Sequence, residues 1–257
     1  MQSRSFIILY TFPAPDVEEA WRECLEHGDL PTHFAAPEFF HEPNWSGEPR
    51  FAILALDPGS PRIRIVAVMT GRLRGKSIIS GQLGTPQICV DKSFDRDSAC
   101  RGLVEGLAFV AKSADTVTVY SWFPIEPLRN AKFQIKETSG SAYLDISGGD
   151  VATFNKLKGR SQIRHAISAG VAVRVATDKD LCDYHAILKA WSDAKRLPCL
   201  SLEQTRSMFQ LTTNRRLFVA VHEGTVIAGT PIRFYRNHTA EYAWNASLPE
   251  AQKLRSV

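Results

Sequence analysis

With 257 residues, 44% of them apolar and 23% charged, the chain can fill one large core or two of roughly 100–150 residues each, which excludes a disordered or peptide-like protein. The formal charge of +4 suits an anionic ligand, but no block of like charge marks a nucleic-acid-binding tail. Five scattered cysteines without a C-x-x-C pair argue against a disulfide framework or zinc ribbon, and no run reaches the roughly 20 apolar residues of a membrane span.

In chain order, "MQSRSFIILYTFPAPD" holds an apolar run that Pro13 and Pro15 interrupt and no small-residue cleavage site, so a strand over 6–11 is expected rather than a signal peptide. These features predict a cytoplasmic protein. "PDVEEAWRECLEHG" places apolar residues at 17, 20, 21, 24 and 25, acids in its first turn and Gly28 at its end, which predicts a helix. "RFAILALD", "RIRIVAVMTG" and the run 77–90 predict neighbouring antiparallel strands divided by glycine turns. A helix over 95–113 and a strand at "TVTVYSW" follow. After "YLDI" and "SGGD" come a basic helix, a strand over 171–176, and helices at "DLCDYHAILKAWSDAKR" and "LEQTRSMFQLT". "RLFVAVHEGTVIAGTPIRFYR" predicts a hairpin turning at Glu223-Gly224, and "TAEYAWNAS" a further strand.

The two halves share an order of helical material followed by three antiparallel strands. The reading is therefore an α/β protein of two related units, 1–146 and 147–257, with mixed, mainly antiparallel sheets flanked by helices. The first half continues into a long helix and another strand, whereas the second reaches only "LPEAQKLRSV", so a C-terminally incomplete second unit is expected.

Lys156, Arg160 and Arg164 form an i, i+4, i+8 ridge beside Ile163 and Ile167, which are expected to form a buried stripe. Residues 151–177 hold five lysines and arginines and no acid, so no carboxylate within that stretch is expected to pair with them. Two readings stand: a solvated face whose long stems run along the core edge, or planar guanidinium forks waiting for a phosphate or carboxylate.

"GRSQIRHAISAGVAV" resembles the R-x-x-I-[KR]-x-A-x-x-x-G-V-x-V stretch of the FemAB-like acyl and aminoacyl transferases, a branch of the GNAT superfamily that includes BioF2-like acetyltransferase domains. "RLFVAVHEGTVIAGTPIRFYRNHTAEYAWNAS" is similar to the family's hairpin and strand, and "YHAILKAWSDAKRLPCLSLEQ" to its helix ending in a basic pair. "HFAAPEFF" through "GQLGTPQICVD" is similar in layout. The resemblance implies paired GNAT-like units and transfer of an acetyl or aminoacyl group, from acyl-CoA or aminoacyl-tRNA, to an amine on an anionic, often envelope-related, small-molecule acceptor. No metal is expected; the resemblance assigns Arg160 and Arg164 to the anionic part of the substrate, and Lys156, on the same ridge, is a further candidate for it. Peptidoglycan-bridge members carry a lysine where "PEFFHEPNW" offers His41 and Glu42, which argues against a muropeptide acceptor. The helix that cradles the coenzyme A pyrophosphate in GNAT enzymes falls at the end of this sequence, so a fragment, a lost donor site, or a homo-oligomer or partner completing the wall are the expectations left open.

Acyl transfer needs a neutral amine, which a carboxylate can provide by taking its proton. Glu241, on the strand that carries this group in many GNAT enzymes, is one candidate; a cross-hairpin ion pair with Arg233 or Arg236 is its bland alternative. Tyr235 is a candidate general acid or a packed strand residue. "TGRLRGKS" leaves three residues between Gly71 and Gly75 where a P-loop needs four, so it is expected to be an antiparallel hairpin. Cys182 and His185 lack further ligands at metal spacing. A non-catalytic module that engages a protein partner or nucleic acid through an open sheet edge is the competing class.

Overall fold

Strand β2 (Arg50–Leu56) reads RFAILAL with no polar alternation, the mark of a strand covered on both faces. Its side chains divide with period two. Phe51, Ile53 and Ala55 join one core with Ala99, Cys100, Leu103 and Leu107, whereas Ala52 and Leu54 join another with Ala20, Trp21, Cys24 and Leu25. The first group comes from helix α2 (Arg96–Val110) and the second from α1 (Pro15–Glu26), so the sheet lies between two helices. Proline in the first turn and the acids Asp16 and Glu18 start α1; the Asp95 carboxylate caps α2 by accepting from the Ser98 N–H at 2.8 Å.

The computed structural model describes residues 5–42, 47–81, 85–134, 159–210, 214–236, 238–242, 244–249 and 251. By their contacts the residues form two compact units, Met1–Ile135 with Phe234–Glu241, and Lys136–Arg233 with Tyr242–Val257. The boundary expected at 146/147 lies outside the described residues.

In the first unit β1 (Phe6–Leu9), β2, β3 (Ile65–Arg74), β4 (Ser77–Ser80) and β6 (Thr116–Val119) lie in that order, and β5 (Ile88–Val90) also pairs with β3. The neighbours are antiparallel except β4 and β6, which run parallel because α2 crosses between them in sequence. The run 77–90, expected as one strand, is two, since the chain leaves β3 at Gly81, with φ of 139°, and rejoins it further along at β5. A short helix α3 (Glu126–Asn130) and the 3₁₀ turns His33–Ala35 and Pro37–His41 carry too few residues to show a helical period in sequence. "TGRLRGKS" is the β3–β4 hairpin, and its Arg72 and Arg74 are met by Glu48.

The second unit contains α4 (Arg160–Ser168), β7 (Ala172–Val175), α5 (Asp180–Lys195), α6 (Leu202–Gln210) and β8 (Arg215–His222). Strands β9 (Thr225–Tyr235) and β11 (Ala246–Ser247) complete a sheet of order β9-β8-β7, with β11 on β9, while β10 (Thr239–Tyr242) belongs up to Glu241 to the first unit. His222 pairs with Thr225 across a two-residue turn in which Glu223 and Gly224 have φ of 50° and 80°, the left-handed pair of a type I′ hairpin, as the sequence predicts. The core is Leu181, Tyr184, Ile187 and Leu188 of α5 against Leu217, Val219 and Val226. Gly229 is required there: a Cβ would stand 2.4 Å from the Tyr184 ring. "TAEYAWNAS", expected as one strand, divides into β10 and β11.

Asp180, at the start of α5, accepts from both guanidinium nitrogens of Arg174 at 2.6 and 2.8 Å, and from the Thr177 N–H and hydroxyl. The Arg174 hydrogen bond, helped by Thr177 and opposed by desolvation, holds this carboxyl well below the usual carboxylate range. A depressed folded value stabilises the protein above the unfolded carboxyl's pKa of about 3.9, and that contribution fades as pH falls towards the folded value. Asp180→Asn should therefore melt below wild type at pH 7, with the gap narrowing progressively below about pH 4. A gap that is constant with pH in thermal melts would refute the coupling.

The stripe expected to be buried on α4 is a correction. Ile163 is 37% and Ile167 65% exposed, and none of the helix's residues is buried.

Candidate active site

Residues 32–35 are pinned from three directions. The Thr32 hydroxyl accepts from the Ala35 N–H and donates to the Pro86 carbonyl, each at 3.3 Å. The Thr70 hydroxyl of β3 donates to the Phe34 carbonyl at 2.6 Å, and the Trp21 indole N–H of α1 donates to that of Ala35 at 2.8 Å. Between these tethers His33 sits 1% exposed. In the next 3₁₀ turn, Arg50 donates to the Phe39 carbonyl at 2.6 Å and stacks on the Phe39 ring, fixing the approach to Glu42.

The third component arrives from the far end of the sequence, in the segment Phe234–Glu241 that belongs to the first unit. Arg236 and His238 both pair with Glu26 of α1, and the Thr239 hydroxyl donates to the Pro31 carbonyl. These contacts carry Glu241 to His33. Its Oε2 lies 3.6 Å from Nδ1, while Glu42 Oε1 lies 3.8 Å from Nε2. A carboxylate thus faces each ring nitrogen, with Glu42 10% and Glu241 18% exposed at the side chain. The distances are longer than a closed hydrogen bond, which is common in sites that tighten around substrate. Such an arrangement sets a carboxylate that can accept a proton beside an imidazole that can orient that carboxylate.

Arg236 is therefore engaged by Glu26 rather than crossing the hairpin to Glu241. Tyr235 lies 3% exposed in the α1-side core, its hydroxyl without a hydrogen-bond partner among the described residues. Burial pushes its pKa up to about 12, so the phenol keeps its proton in the neutral range. Arg160 and Arg164 are exposed on α4, and Lys156 lies outside the described residues. His185 Nε2 is 2.8 Å from the Leu200 carbonyl oxygen, Cys182 is exposed, and no metal-sized group of His, Cys, Asp and Glu occurs among the described residues. All five cysteines are free thiols.

The sequence reading passed over His33, whose "PTHFAAPEFF" setting looks like core, and Glu42, which it noted only in place of a lysine. Arg215, not singled out from the sequence, and Arg233, named there only as a cross-hairpin partner for Glu241, are buried partners across β8 and β9 in the second unit. Burial, followed by the charge of Arg233, pushes the Arg215 guanidinium down to about 9. Arg233 also lies over the Trp244 ring, 5.5 Å from its centre.

The N-terminus of α2 does not fit a coenzyme A pyrophosphate, because Asp95 already occupies the cap and Asp97 adds a second negative charge in the first turn. The corresponding segment after β11 lies mostly outside the described residues.

Among solved structures the chain is similar to FemX, with a TM-score of 0.66 over 92% of this chain and 80% of that one, at 12% identity. The chain has the FemX fold. This is the two-unit α/β architecture that the resemblance to the FemAB-like GNAT branch implied. A tandem GNAT protein from the clavulanic acid biosynthesis pathway is also similar, at 15% identity and a TM-score of 0.46, over 95% of this chain and 79% of that one. No family model matches the sequence, and no curated protein matches it significantly. In this FemX-fold chain no described helix is long and apolar enough to cross a membrane.

Proposed function

We propose that this FemX-fold chain is an N-acyltransferase that moves an acetyl or aminoacyl group from an activated donor, acyl-CoA or aminoacyl-tRNA, to an amine on an anionic small molecule related to the cell envelope. The observation that carries the reading is the Glu241 carboxylate, on a side chain 18% exposed, facing a buried imidazole on a fold shared with FemX. Glu241 takes a proton from the acceptor's ammonium, leaving a neutral nitrogen lone pair. That nitrogen attacks the donor carbonyl, the new C–N bond forms as the C–S or C–O bond to the donor breaks, and the second proton that the nitrogen sheds goes to the departing thiolate or ribose oxygen. Positioning of the two substrates supplies much of the remaining acceleration.

Arg160, Arg164 and Lys156 are assigned to the anionic part of the acceptor, and the exposure of the two arginines supports their access to it. Tyr235 receives no proton-transfer step, since its side chain is buried in the α1-side core. Arg160→Ala should raise the acceptor KM roughly tenfold or more, the value of one charge-assisted hydrogen bond, without lowering the melting temperature. Equal KM values in wild type and variant would remove Arg160 from the site.

The overall reading is tested by incubating the purified chain with acetyl-CoA, or with aminoacyl-tRNA, and a panel of amines bearing phosphate or carboxylate. An amide product in mass spectrometry is expected; donor that stays intact, or is only hydrolysed, contradicts the reading.

A further inference from the structure

We infer that His33 is a positioning residue that holds the Glu241 carboxylate through Nδ1 while Glu42 fixes the ring through Nε2, an inference that rests on the proposed proton acceptance by Glu241. The geometry has the order of a three-part relay. Its outer member is the most exposed, its middle member is buried, and its inner member lies at the end of a tethered turn.

Three features favour positioning over simple packing. The backbone around His33 is fixed by the side chains of Trp21 and Thr70, and the adjoining Thr32 hydroxyl ties it to the Pro86 carbonyl, so the ring has a defined place. The ring meets the two carboxylates with different nitrogens, which sets the direction of each interaction. A buried imidazole without polar partners costs free energy that a leucine does not, whereas here both nitrogens face acids, Glu42 after the second 3₁₀ turn and Glu241 on β10. With a protonated Nδ1 3.6 Å away, the Glu241 carboxylate keeps one orientation, and the N–H bond that breaks in the acceptor is replaced by an O–H bond on that carboxylate. His33, at 1% exposure, does not itself touch the acceptor.

Amide side chains separate the two ring nitrogens. Asparagine places its NH₂ near the Nδ1 position, and glutamine places it near Nε2. His33→Asn should therefore keep kcat within about tenfold of wild type, while His33→Gln should lose about 10²-fold, the scale of a misplaced reacting group. The acceptor KM should be unchanged in both. Equal losses in two variants that melt like wild type, or no loss in either, would overturn the assignment.

A second readout needs no turnover. The His33 ring resonances, followed by NMR against pH in the full chain, should titrate at lower pH in Glu241→Gln than in wild type, because a facing negative charge has been removed. An unmoved titration overturns the inference even if acyl transfer is found. A moved titration in a chain that transfers no acyl group overturns the acyltransferase reading and leaves the His33–Glu241 coupling standing.

Discussion

Trp21→Ala should destabilise the first unit by about 3–5 kcal/mol, the usual cost of emptying a buried aromatic site, and lower its melting temperature by roughly 10 °C or more. The indole is fully buried, meets Phe40 edge-on, and donates to the Ala35 carbonyl. Its loss leaves both a cavity and a carbonyl without its donor, two costs that add. Because the same hydrogen bond tethers the turn carrying His33, the variant should also broaden the His33 ring resonance at temperatures where the unit is still folded. Chemical denaturation of the two units gives the measurement, and a loss under about 1 kcal/mol would contradict the packing described for α1. Ile167→Ser, on the exposed side of α4, is the control and should stay within roughly 0.5 kcal/mol.

Glu241→Gln should slow acyl transfer by about 10²–10⁴-fold, the range for removing a general base, with little change in acceptor KM. The substitution keeps size and hydrogen-bonding capacity but ends proton acceptance. A loss confined to KM would place Glu241 in binding instead. At pH values where the acceptor amine is already neutral the deficit should shrink, because the proton that Glu241 removes is then absent from the start.

Much of the fold can be read in the sequence because its elements carry local signals. The one-sided apolar spacing and proline start of "PDVEEAWRECLEHG" give α1, and Glu223-Gly224 gives the hairpin between β8 and β9. Elements set by tertiary bonding leave weaker traces. The turn at His33 depends on Thr70 and Trp21, which are distant in sequence, and the division of 77–90 depends on where the chain leaves and rejoins β3. The α4 stripe misled for a related reason: periodicity reports that a helix has an apolar side, not that something covers it.

The candidate site was half legible. Glu241 could be singled out from its strand, but its partner His33 lies 208 positions earlier in a stretch whose composition reads as core. Only the segment Phe234–Glu241, packed with the first unit through Arg236, His238 and Thr239, brings the two together. A His between two glutamates has no sequence spacing that announces it, since each of the three side chains comes from a different turn or strand.

The most direct test is the single-turnover rate of amide formation as a function of pH, measured in wild type and in Glu241→Gln with the same donor and amine. The account predicts a wild-type rate that falls on the acid side as a carboxylate is protonated, and a variant whose slow rate simply follows the fraction of neutral amine. Superimposable profiles would contradict it.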